Sequence, residues 1–171
     1  RGRMLIAPTM DSIEFAWDDT KYGDYSQNPV LDMIVPTLFN PSMAPEGKHI
    51  LSANIMYIPY QKKGGWSEED KNELTEKIID TISQYSTNIR DNILHSELLT
   101  PLDLETEFNL TGGHWHHGEL ALDQMLMMRP TYEAAQYRTP IDKLYLCSAG
   151  CHPGGGIMGA AGYNAAKEII K

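Results

Sequence analysis

The apolar positions of the chain change period several times, and each change marks an element. Between residues 11 and 23, Ile13, Ala16 and Trp17 fall on one side of a helical wheel. Asp11 or Ser12 is placed to act as N-cap and Gly23 to end the helix. Val30 to Phe39, bounded by Pro29 and Asn40-Pro41, and His49 to Tyr57 read as strands joined by the turn-rich connector NPSMAPEGK. After Gly64-Gly65, Ser67 and Asp70 have the spacing of a capping box, and Glu68 and Glu69 suit the positive end of a helix dipole. The helix they open is expected to run to about Tyr85, with Leu74, Ile78, Ile82 and Tyr85 on one apolar face. Ile93 to Leu99 is expected to return as a third strand. The order strand, strand, helix, strand gives an α+β fold with a mixed, largely antiparallel sheet, since the regular alternation of a doubly wound fold is missing.

Beyond Pro101 the texture changes. PLDLETEFNLTGGHWHH gives a short helical turn and an irregular loop, and Glu119 to Met128 is expected to be helical, ending before Arg129-Pro130. Lys143 to Cys147 reads as a buried strand, Ser148 to Gly156 as a glycine-rich turn, and Ile157 to Ile170 as a closing helix. No internal repeat is present.

Composition narrows the classes. The 171 residues suit one domain, or a small domain with part of another. A formal charge of -9 argues against a nucleic-acid partner, which needs concentrated Lys and Arg. No apolar run reaches the roughly 18 residues of a membrane-spanning helix. Two cysteines, Cys147 and Cys151, are too few for a disulfide framework and agree with a reducing compartment. The chain opens at Arg1 without a methionine or a signal layout, so residues upstream are expected.

The densest candidate chemistry lies in LYLCSAGCHPGGGIMGAAGYNAAKEII. A strand running through Gly150, Gly154, Gly155 and Gly156 into a helix offers backbone N-H groups to an anionic or electron-rich ligand, with no Cβ to block its approach. A tight connection without a ligand reads the same residues equally well. The segment is neither the dinucleotide fingerprint G-x-G-x-x-G with its acidic partner nor a P-loop, because no Lys-Ser or Lys-Thr follows the glycines.

Three blocks in fixed order, PLDLE at 101–105, GGHWHHGELALDQMLMMRP at 112–130 and YRTPIDKLYLCSAGCHPGGGIMGAAGYNAA at 137–166, resemble the C-terminal part of phytoene desaturase-like FAD-dependent oxidoreductases. The similarity is strongest to their pyridine nucleotide-disulfide oxidoreductase domain-containing branch. That resemblance implies a glutathione-reductase-like FAD fold, with residues 1–29 as an N-terminal helical segment, 30–130 as the substrate-binding domain and 131–171 as a strand and helix returning to the FAD domain. It implies that Gly150, Cys151, His152, Pro153, Gly154, Gly155, Gly156, Ile157 and Met158 line the flavin, while an N-terminal FAD-binding half outside this sequence holds most of the dinucleotide. The implied partners are a hydrophobic small molecule such as a polyene and that missing half, with peripheral membrane contact and homo-oligomerisation left open. The implied compartment is the bacterial cytoplasm or the mitochondrial matrix.

Other residues carry competing readings. His114, His116 and His117 are the candidate catalytic groups, by proton transfer near the flavin. With Glu119 they form the densest ligand-type cluster, and His114 and His116 share a face if the loop is extended, but the spacing matches no zinc signature and no metal is expected. In the same loop, Trp115 is expected to pack. Cys147 is expected to be a small buried residue, and neither cysteine is given a redox role. Leu122, Met125, Leu126, Met127 and Met128 read as core or as the wall of an apolar cavity. Arg129 reads as structural, pairing with a carboxylate, with contact to an FAD phosphate as the other choice, and Asp103, Glu105 and Glu107 as a solvated helical face rather than an acid pair. A non-catalytic substrate-binding or interaction module is the second functional reading, and a metal hydrolase built on the histidine loop the third.

Overall fold

Capping chemistry fixes the first long elements of the structure. In the computed structural model, which describes residues 2–118, 121–125 and 128–171, the chain divides into two units, Arg1–Leu102 and Asp103–Lys171.

The first unit is built on a three-stranded antiparallel sheet, β1 (Met4–Ile6), β2 (Val30–Ile34) and β3 (Ser52–Met56), with β2 in the centre. The register sets Ile6, Leu31 and Ile55 side by side, and Met4, Met33 and Ala53 along the same face. The opposite face carries Leu5, Asp32 and Asn54, where Arg3 forms an ion pair with Asp32. Helix α1 (Met10–Lys21) is capped by Thr9, whose hydroxyl accepts from Ser12 N while the Ser12 hydroxyl accepts from Thr9 N. Thr9, rather than Asp11 or Ser12, is therefore the N-cap, and Ser12 is the N3 partner of its capping box. Of its expected apolar face only Ala16 is buried, while Trp17 is half exposed against Tyr57, ring centroids 5.9 Å apart. Gly23 ends α1 with φ 75, and an added Cβ there would lie 3.3 Å from Gln61 O and Lys63 N.

Helix α2 (Glu68–Ser83) begins at the expected Ser67 cap and lays Leu74, Ile78 and Ile82 against Ile6, Leu31 and Met33. Tyr25 stacks on Trp66 at 5.8 Å beside this cluster. Tyr85 lies beyond the helix and is exposed. The expected strands are shorter than their apolar runs, because Pro36–Leu38 and Pro41–Met43 form 3-10 turns that leave the ladder. Residues 93–99 form no strand: β1 takes the place beside β2, and the segment passes by with Leu98 packed on the core and Leu94 exposed. Short helices α3 (Ile89–Asn92) and α4 (Pro101–Phe108) follow.

The second unit is mostly turns. The Glu119 to Met128 stretch falls partly outside the described residues, at Glu119, Leu120, Leu126 and Met127, and its described part is a 3-10 turn, Leu122–Gln124. Leu122, Met125 and Met128 are exposed, not core. Lys143 to Cys147 is not a buried strand: a single bridge pairs Arg138 with Tyr145, Lys143 has φ 63, and Cys147 is exposed. Its last helix, α5 (Ala160–Ile169), starts three residues later than the apolar pattern suggests because Gly159, at φ 65, is its N-cap. Its small face, Ala161 and Ala165, packs with Tyr137, Cys151 and Leu146. Among the described residues no helix is long and apolar enough to cross a membrane.

Leu74 is 1% exposed at the centre of the first core, so Leu74→Ala is expected to cost about 2–5 kcal/mol in urea unfolding. Asp70 accepts from Ser67 and pairs with Lys62 at 2.9 Å, and these partners, the Ser67 hydroxyl foremost, push its carboxyl down to about 2. A depressed carboxyl stabilises the fold above its ordinary value near 3.8, and that stability disappears as pH falls toward 2. Asp70→Asn should flatten this part of the acid-unfolding profile.

Candidate functional site

The second unit brings two of the sequence's candidate segments together, the histidine loop and the glycine-rich turn. The loop is a tight turn in which His117 N donates to His114 O at 2.9 Å and His116 N donates to His114 Nδ1 at 3.3 Å. That second bond requires an unprotonated His114 Nδ1, which places the proton of the neutral ring on Nε2. The rings of His114 and His116 are 5.7 Å apart, and Trp115, expected to pack, is exposed with its ring nearly perpendicular to that of His116. The described residues gather no cluster of three or more His, Cys, Asp or Glu side chains suited to a metal ion.

Arg129 connects this loop to the turn. It is 3% exposed and donates through Nε to Ala149 O at 3.2 Å and through its terminal nitrogen to His116 O. Gly118 lies against the guanidinium, where an added Cβ would be in ordinary contact at 3.5 Å from an Arg129 nitrogen, and it is its φ of 142 that would strain any other residue. Gly150 faces the loop, its missing Cβ position 3.7 Å from His117 O. The structural reading of Arg129 thus has specific content: it fastens two segments by their carbonyls.

The turn is also tied within itself, Cys151 N to Ser148 O at 3.0 Å and Gly154 N to Cys151 O at 2.6 Å. Burial pushes the Cys151 thiol up, the opposite of a thiolate prepared for redox chemistry. Both cysteines are free. His152 precedes a cis bond to Pro153, and Pro153 is exposed. Gly154 and Gly156 have φ of 104 and 121, nothing lies within 4 Å of a Cβ added at Gly154, and Ile157 and Met158 point into solvent. No side chain caps the start of α5, so its first-turn N-H groups open on that exposed stretch.

Three residues act in ways the pattern did not reveal. Glu105, expected on a solvated face, is half-buried and accepts from Gly112 N at 3.0 Å, which shapes the approach to the histidine loop. Tyr137 and Asn164 join the turn to α5, Tyr137 Oη donating to His152 O at 2.9 Å and Asn164 Nδ2 donating to Tyr137 Oη at 2.8 Å. The one sequence signal for Asn164 is its position on the small face of α5 between Ala161 and Ala165.

No protein-family profile matches the chain. Pyridine nucleotide-disulfide oxidoreductase domain-containing protein 2 of Mus musculus is 42% identical over 158 residues, 91% of this chain and 27% of the mouse protein. One component of the limonene dehydrogenase of Castellaniella defragrans is 29% identical over 71% of this chain and 22% of its own length. The lycopene-forming phytoene desaturase of a Paracoccus species is 26% identical over 74% of this chain and 25% of its own length. The chain spans about a quarter of the length of the curated relatives it matches.

Burial, with the neighbouring His114, Arg129 and His117, lowers the affinity of His116 for a proton. An NMR titration should place its midpoint below the ordinary value of about 6.5. Because the fold disfavours the imidazolium, this residue subtracts stability as pH falls below about 6.5 and none above it. Arg129→Met should release the loop, speeding amide exchange at residues 114–118 and returning His116 toward its ordinary midpoint. Unchanged exchange would show that the guanidinium is not what fastens the loop.

Proposed function

Because the chain belongs to the phytoene desaturase-like proteins, in their pyridine nucleotide-disulfide oxidoreductase domain-containing branch, we propose that it is the C-terminal part of an FAD-dependent oxidoreductase acting on a hydrophobic substrate. The observation that carries this reading is the stretch from Gly150 to Met158, which runs into a helix start that no side chain caps. A flavin placed there needs backbone that it can approach closely and N-H groups aimed at its electron-rich edge. Gly154 offers the first, with open space where a Cβ would stand, and the first turn of α5 offers the second.

FAD, when bound, supplies the acceptor for a hydride equivalent. The residues of this chain bind and orient. Gly150, Cys151, His152, Pro153, Gly154, Gly155, Gly156, Ile157 and Met158 line the flavin, and α5 directs its positive end at negative charge gathering there. Ile157 and Met158, solvent-facing in this chain, supply apolar cover to the ring. His114, His116 and His117 stand at the rim, fastened to the same turn by Arg129, with His116 kept in its neutral, proton-accepting form at physiological pH. Most of the dinucleotide is held by an N-terminal half of the protein, and residues 30–130 contribute to the substrate-binding side. The hydrocarbon named in the Castellaniella and Paracoccus relatives favours an apolar substrate here.

The full-length protein is expected to be yellow, with the absorption bands of an oxidised flavin; a colourless protein containing stoichiometric zinc would overturn the reading. A Cβ at Gly155 would lie 3.2 Å from that of Ala149, so Gly155→Leu must displace the turn. It should weaken flavin retention by about tenfold or more, equivalent to about 1.4 kcal/mol. Retention at the wild-type level would put the flavin elsewhere.

A further inference from the structure

The glycine-rich turn is held from behind by one hydroxyl group. Tyr137 is buried and has φ 72, a conformation few bulky residues adopt. Four hydrogen bonds fix it there. Its N-H donates to Ala134 O at 3.0 Å and its carbonyl accepts from Leu146 N at 2.8 Å. Its hydroxyl donates to His152 O at 2.9 Å and accepts from Asn164 Nδ2 at 2.8 Å.

The relay has a direction. A backbone carbonyl only accepts, so the phenol proton must point to His152. Only oxygen lone pairs then remain for Asn164, which must present its amide nitrogen. Asn164 is carried by α5 and His152 by the turn in front of it, so this chain of donors sets the turn against the helix start.

Resting on the flavin placement above, we propose that Tyr137 and Asn164 are positioning residues whose directional hydrogen-bond relay holds Gly154 to Met158 at the height the flavin requires. They touch the turn and the helix, and act on the cofactor through them. Packing alone is the competing explanation, and the two differ in what a hydroxyl is worth. Tyr137→Phe keeps the ring among Cys151, Ala161 and Ala165 and removes both side-chain bonds. Asn164→Asp replaces a donor by a carboxylate, which only accepts; the phenol proton then turns to residue 164 and the bond to His152 O is lost.

The experiment uses the full-length protein: apo-protein of the wild type, Y137F, N164D and the double variant is titrated with FAD by flavin fluorescence, and thermal unfolding is recorded in parallel. Each single variant should raise the FAD dissociation constant about tenfold and alter the flavin absorption envelope. The double variant should be no weaker than either single one, because both break the same relay. A Y137F protein with wild-type affinity and spectrum overturns the proposal, even with a lowered unfolding temperature, since packing alone predicts that result. A wild-type protein that fails to bind FAD overturns the flavin reading itself, and the first titration shows it before any variant is compared.

Discussion

The carbonyls of a glycine-rich turn need donors, and in the second unit buried side chains provide them. Arg129 donates to Ala149 O and Tyr137 to His152 O, on either side of Cys151. The apolar cluster behind them is small, made of Tyr137, Cys151, two alanines and part of Leu146. Such a core contributes little burial, so directional bonds must specify the turn's shape. Breaking one removes a hydrogen bond worth about 0.5–1.5 kcal/mol from a half-buried carbonyl.

The first unit solves its folding problem differently. Aliphatic side chains from α2 and one face of the sheet interdigitate around Leu31 and Leu74, both essentially inaccessible to water. Packing of this kind tolerates irregular connections, which explains how residues 93–99 pass the core without ladder bonds while Leu98 remains useful to it. The first unit is thus held by an apolar cluster and the second by a hydrogen-bonded turn.

Local signals predicted what they determine locally. The Ser67–Asp70 box and the four-residue spacing of Leu74, Ile78 and Ile82 specify α2 without help from elsewhere, and β2 and β3 follow from apolar runs broken by proline. β1 escaped notice because three residues are too short to show a period, and its existence depends on the edge of β2. Lys143 to Cys147 has a strand's composition, but a strand also needs a neighbour, and among the described residues it finds one bridge. The glycines and histidines of the candidate site were legible as residue types. Their junction was not, because Arg129, Tyr137 and Asn164 work across 13 to 27 positions and leave no spacing to read.

Gly159 has a consequence for handling the chain in solution. With a left-handed residue at the cap, the segment ahead of α5 turns away from the small core, and Ile157 is as open to water as in an extended peptide. Greasy tips of this kind adhere to one another, to vessel walls and to chaperones. With that tip uncovered, the polypeptide should need dilute conditions or mild detergent to remain dispersed.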